Sequence, residues 1–373
     1  MKDEKIRWIG KIHNGTHNFT VTENDQDTTN FLEVTTPLDL FKPTLSHKYK
    51  VVPLFYRAIA ENDIREVFDQ DKKERVGMCI PSASLGSIDH DFAQKRLFVS
   101  YAYQAINHGL SDEEFRGLIS VPHGEQEINF SELFHEDLCF LVICLSNVPN
   151  GEFSIDRYIP SLVEHGYIYD RHGSSTKIAW NPPKLEQSNA IKIRPVSKKF
   201  AETHVVSKLL TSAVAYNKNP ILKFFFLYQI IELLIEQVYR LEVESILGEI
   251  SVSTDARDSA NYRKYIRKLQ EVSKENIRIG KLINKYVEDN VDIKPLGEAC
   301  NNFLESVNIE QGDTLDSHFY MVRNFLFHQA RDLPENASDL LESIVLEFVS
   351  FLPILLNKYS PVSRQDPVLP QQP

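Results

Sequence analysis

Cysteine is scarce in this chain: four residues in 373, Cys79, Cys139, Cys144 and Cys300, with no C-x2-C pair among them. That spacing excludes a disulfide framework and fits a reducing compartment. Cys139 and Cys144 flank the strand-like run Phe140-Leu141-Val142-Ile143. Even with His135 nearby they therefore read as buried thiols rather than metal ligands. The first half has no G-x4-G-K-[ST], no G-x-G-x-x-G and no G-x-S-x-G, so neither a nucleotide-driven motor nor a serine hydrolase is indicated. Long apolar runs are missing too. The longest, around residues 221–235, is interrupted by Lys223, Gln229 and Glu232 and cannot span a membrane. No apolar stretch follows the opening Met-Lys-Asp-Glu-Lys, so a cytoplasmic protein without a secretory leader is expected.

What is present is ordinary for a globular protein: 42% hydrophobic residues, 25% charged residues and a net charge of −11. A length of 373 residues predicts two domains, each able to bury a core. The fold class expected is α+β, with a strand-rich mixed domain over residues 1–195, a helical bundle over 196–360 and a disordered proline-rich tail over 361–373. In the first domain the spacing predicts strands at 6–12, 19–22, 31–35, 49–56, 97–103, 118–121, 138–145 and 190–193, with a short helical segment at 155–164. Turns fall at Asn14-Gly15, Val121-Pro122-His123-Gly124 and Asn181-Pro182-Pro183. Tyr101, Tyr103, Tyr167 and Tyr169 alternate at strand period, which predicts sheet packing.

After Pro195 the apolar period changes from two to 3.6, with helices expected at 198–216, 220–247, 256–290, 294–306, 314–330 and 335–358. Asn219-Pro220 separates the first pair, proline taking a first-turn position. The third segment is rich in cations. Arg263, Arg267, Lys274, Arg278, Lys281 and Lys285 share one face if that segment is a single helix. On an acidic protein such a stripe is either a solvated face or a track for an RNA backbone.

The most unusual stretch is His318-Phe319-Tyr320-Met321-Val322-Arg323-Asn324-Phe325-Leu326-Phe327-His328-Gln329. It contains no helix breaker, and Asp313 or Thr314 can cap it, so a helix of about 15 residues is expected. Apolar residues cover nearly the whole wheel, as in a helix buried among others or at an oligomer interface. Arg323, Asn324 and His328 interrupt that surface. Burying them unpartnered costs roughly 1–3 kcal/mol each, so something must oppose the penalty. Asn324 and His328 are one turn apart, and the long Arg323 side chain can reach the same rim. A permanent cation, an amide and an imidazole suit phosphodiester chemistry without a metal, so no cofactor is expected. Glu232, an acid in the run 224–234, is a candidate to hold Arg323; a surface position or a bond to another helix is the alternative.

The segment Arg323-Asn324-Phe325-Leu326-Phe327-His328 resembles the R-x4-6-H motif of HEPN-domain ribonucleases, including the asparagine that often follows the arginine. Phe224-Phe225-Phe226-Leu227-Tyr228-Gln229-Ile230-Ile231-Glu232-Leu233-Leu234 resembles the long core helix of ApeA-like HEPN domains in bacterial antiphage proteins. Arg7 with His13 and Arg116 with His123 satisfy the bare spacing but lack the Arg-Asn start and the apolar helix. The likeness covers about residues 197–360. It implies a metal-independent endoribonuclease in which the RNA 2′-hydroxyl attacks, His328 is the acid or base, Arg323 stabilises the transition state and Asn324 orients. It also implies a homodimer that pairs two motifs on one RNA. By the same analogy the first domain binds a phage-derived trigger that releases the toxin during abortive infection. The alternative is a catalytically inactive HEPN dimerisation module joined to a partner-binding β-rich domain.

Overall fold

The computed structural model describes residues 11–13, 16–22, 29–35, 48–56, 63–70, 73–85, 90–92, 95–111, 115, 118, 134, 135, 137–170, 178–180, 189–201, 204–252, 259–287, 292–310, 314–329, 331, 333, 334 and 336–359. The chain divides into two compact units, Met1–Arg194 and Pro195–Pro373. An N-terminal mixed sheet and a C-terminal helical region make the architecture α+β. The tail from 361 and the turns at Asn14-Gly15, 121–124 and 181–183 lie outside the described residues.

The first unit begins with a three-stranded antiparallel sheet, β1 (Lys11–His13), β2 (Thr16–Thr22) and β3 (Thr29–Thr35). A five-stranded sheet follows, made of β4 (Tyr49–Phe55), β5 (Arg65–Asp69), β6 (Arg75–Pro81), β7 (Leu138–Cys144) and β8 (Ala190–Ile193) in the order β4-β7-β6-β5-β8. Among the described residues of this sheet, β5 and β8 pair in parallel and the other pairings are antiparallel. Pro53 is tolerated because β4 is an edge strand, where a missing backbone donor need not break the ladder. Central β7 is apolar almost throughout, Leu138 to Ile143 being buried. Helices α1 (Ser82–Leu85), α2 (Arg96–Ser111) and α3 (Ile159–Glu164) complete the unit.

The strand expected at 97–103 is instead the first half of α2. Its aromatic and β-branched residues mimic strand composition, but Phe98, Val99, Tyr101, Ala105 and Ile106 are buried at helical spacing. Gly109 lets this helix approach the sheet, since a Cβ there would lie 2.9 Å from the Phe140 ring. Tyr101 therefore packs from a helix, edge-on to Tyr49 at 5.6 Å between ring centroids. Leu118 lies in a short 3-10 turn, and residues 119–121 are outside the described set. Strands β5 and β6 were not expected at all.

The second unit comprises α4 (Lys198–Ala201), α5 (His204–Lys208, continued by a π turn over Leu209–Val214), α6 (Pro220–Val252), α7 (Ser259–Val272), α8 (Glu275–Lys285), α9 (Lys294–Ser306), α10 (Leu315–His328) and α11 (Ala337–Lys358). Asn219 caps α6 as its composition requires, its Oδ1 accepting from the backbone N–H groups of Ile221 at 2.9 Å and Leu222 at 3.4 Å. With 33 residues α6 is about 50 Å long. Lys223, which breaks the apolar run of this helix, is buried and donates to Glu342 of α11 at 2.7 Å. Aromatic packing joins three helices: Phe319 of α10 lies 5.5 Å from Tyr228 and 5.7 Å from Phe224 on α6, and 4.7 Å from Phe348 on α11.

The single basic helix expected at 256–290 is two helices. Lys274 is extended (φ −76, ψ 132) and serves as the N-cap of α8. The one-face alignment of the six cations therefore does not hold across this break. Among the described residues, no helix is long and apolar enough to cross a membrane.

Candidate active site at the end of helix α10

Thr314 is the N-cap of α10, in extended conformation, and the helix covers 14 residues. Its inner face buries Leu315, His318, Phe319, Val322, Phe325 and Leu326. The helix ends differently. Phe327 is 55% exposed and His328 is exposed beside it. Burying the exposed half of that ring would add roughly 1 kcal/mol, so this end forgoes packing that the inner face of the helix takes. Phe327 still touches Phe225 of α6 at 4.7 Å between centroids.

Arg323 sits between these two environments, with its side chain 20% exposed. Its guanidinium lies 4.4 Å from the centre of the Phe327 ring and 5.9 Å from that of Tyr228. One Nη donates to Asn324 Oδ1 at 3.1 Å. A guanidinium has no acceptor, so this bond fixes the amide with its oxygen toward Arg323 and leaves the Asn324 NH2 as a donor. The expected convergence of Arg323 with Asn324 is thus seen as a direct contact, and helix geometry sets His328 on the same face as Asn324.

Two carboxylates face Arg323. Glu232 is 4.0 Å from one Nη and, with its side chain 48% exposed, is not a buried acid. Glu275, in the first turn of α8, is nearer: its Oε1 lies 3.6 Å from Arg323 Nε and its side chain is 19% exposed. The Tyr228 hydroxyl donates to that same oxygen at 2.5 Å. Burial, reinforced by this bond to Glu275, pushes the Tyr228 phenol well above its ordinary pKa, so it remains a donor. Sequence reasoning missed both Glu275 and Tyr228. Glu275 lies in the cation-rich third segment and Tyr228 in the apolar run 224–234, and nothing in the local pattern singles out either.

The six cations of the basic stripe separate into two groups. Lys281 and Lys285 both donate to Glu242 at 2.6 Å, joined by the Tyr286 hydroxyl at 2.7 Å. Burial alone would raise the Glu242 carboxyl, but these three donors outweigh it and bring the pKa down to about 2. Arg278 lies 3.9 Å from Glu236. These three cations of α8 thus face acids of α6. Arg263, Arg267 and Lys274 are exposed. Among the described residues, no group of three or more His, Cys, Asp or Glu is placed to hold a metal.

Comparison with known proteins finds nothing similar: no family model matches, and neither a curated protein nor a solved structure does.

Proposed function

We propose that this protein is a metal-independent endoribonuclease of the HEPN kind, acting as a homodimer in antiphage abortive-infection defence. The observation that carries the reading is the exposed end of a helix otherwise buried or half-buried, where Phe327 and His328 meet solvent beside the half-buried pair Arg323 and Asn324. His328 is the general acid or base for 2′-hydroxyl attack on the adjacent phosphate. Arg323 stabilises the charge that develops on the phosphorane, and the free NH2 of Asn324 holds a phosphate oxygen. The products are a cyclic phosphate and a 5′-hydroxyl. Phe327 offers a ring on which an unpaired base can stack. Arg263, Arg267 and Lys274 supply contacts to the RNA backbone. A phage component that binds the first unit is the trigger, a role that rests on family analogy alone.

One observation favours a second reading. Glu232 and Glu275 already face Arg323, as they would in a catalytically inactive binding module whose arginine is a structural cross-link. Incubation of RNA with wild type and with His328→Ala in EDTA separates the two. Cleavage by wild type alone, with cyclic-phosphate ends, is expected; equal rates for the two proteins, or cleavage that requires Mg²⁺, contradict the nuclease assignment.

A further inference from the structure

Arg323 has five N–H donors: one on Nε and two on each Nη. Three acceptors are arranged around it on three different nitrogens, with Asn324 Oδ1 at 3.1 Å from one Nη, Glu232 at 4.0 Å from the other and Glu275 at 3.6 Å from Nε. Only the Asn324 contact is a hydrogen bond; the two carboxylates are ion-pair neighbours, so each terminal nitrogen keeps at least one N–H for a ligand. Two such N–H groups are what a phosphate takes in bidentate fashion. The arrangement depends on Glu275, because Asn324 is on the same helix as Arg323 and moves with it, while Glu232 is half in water and farther away.

Glu275 is itself fixed. Its Oε1 accepts the Tyr228 hydroxyl at 2.5 Å, and Tyr228 is buried in the aromatic core against Phe224 and Phe319. A carboxylate in the first turn of α8 is also favoured by the partial positive charge of the helix N-terminus. Arg323 Nε is buried and makes no hydrogen bond in this state, Glu275 Oε1 being just beyond reach.

We propose that Glu275, braced by Tyr228, is the positioning residue that aims Arg323 at the scissile phosphate. The brace runs from the core through Tyr228 to Glu275 and then to Arg323, across α6, α8 and α10. It acts through the lone pairs of one oxygen, so a neutral carbonyl oxygen in the same place suffices. This role rests on the ribonuclease reading above.

The test measures kcat and KM for RNA cleavage in EDTA, melting temperature, and the reaction of Arg323 with an arginine-specific dicarbonyl reagent followed by mass spectrometry. Glu275→Ala is expected to lower kcat by about 100-fold with little change in KM, since misplacement by about 1 Å costs on that order. Its melting temperature stays near wild type and its Arg323 reacts faster. Glu275→Gln keeps an oxygen for both Tyr228 and Arg323 and restores most of kcat. Tyr228→Phe removes the brace while keeping the ring, and lowers kcat less than Glu275→Ala does. Cleavage that is lost in His328→Ala but unchanged in Glu275→Ala overturns the positioning role alone. Arg323 labelling equal in wild type and Glu275→Ala overturns it as well, whereas a wild type that cleaves no RNA removes both this role and the nuclease reading.

Discussion

Two clusters of opposite charge join α6 to its neighbours, and they are built differently. Around Glu242, two lysines and a tyrosine hydroxyl close on a carboxylate whose side chain is 7% exposed, with every bond at 2.6 or 2.7 Å. Around Arg323, the two carboxylates stand back at 3.6 and 4.0 Å, and an exposed phenylalanine and histidine lie alongside. The first cluster places three donors on one carboxylate and engages both of its oxygens. The second retains donor capacity next to solvent. The difference separates a buried structural knot from a looser, partly exposed pairing, which is where the proposed site would keep donors for a ligand.

Substitution at the open cluster should produce the largest effect. On the proposed reading, Arg323→Ala and His328→Ala are each expected to reduce RNA cleavage by about 10²- to 10⁴-fold, with melting temperature and mass in solution unchanged. A gel assay beside calorimetry and light scattering checks both halves of that expectation.

The closed cluster should respond in the opposite way. Glu242→Ala leaves Lys281 and Lys285 facing each other without a counter-charge and is expected to cost about 3 kcal/mol of stability in denaturant titration. Cleavage below the melting transition should remain. Acid gives a second handle on the same cluster. The folded Glu242 carboxyl titrates at about 2, below its ordinary 4.5, so the folded protein binds fewer protons than the unfolded chain in that interval. Its stabilisation is complete above about pH 4.5 and lost as pH falls toward 2. The stability difference between wild type and Glu242→Gln should therefore shrink across that window; a difference independent of pH would show that the carboxylate charge is not what holds the knot.

The smallest expected effect concerns the divided basic stripe. Changing Arg263, Arg267 and Lys274 together to glutamine should flatten the slope of log affinity against log salt by about 2, at about 0.7 per lost single-strand phosphate contact. Lys281→Gln should leave that slope unchanged, because Lys281 is already engaged with Glu242. Salt titrations of RNA binding distinguish the two variants.

Much of the helical unit was legible because local signals coincide there: Asn219-Pro220 starts α6, Thr314 starts α10, and the apolar period continues between caps. The break between α7 and α8 was not. Val272-Ser273-Lys274-Glu275 contains neither glycine nor proline, and the basic spacing runs on through it. In the sheet, Arg65–Asp69 is a short strand with charged ends, and Gly77 interrupts β6, so neither carries a clear alternating pattern. Gly77 is there because a Cβ would lie within 2.4 Å of the Val142 carbonyl oxygen. At the candidate site, the proximity of Arg323, Asn324 and His328 could be read because they lie within two turns of one helix. Glu275 and Tyr228 could not, since they are 47 residues apart and meet only through the packing of α8 on α6.

The most direct test places Arg323→Ala and Glu242→Gln side by side, each assayed for RNA cleavage in EDTA and for melting temperature. The account predicts a crossed result: Arg323→Ala melts like wild type and does not cleave, while Glu242→Gln melts earlier and cleaves normally below its transition. An Arg323→Ala protein that cleaves RNA at the wild-type rate would contradict it.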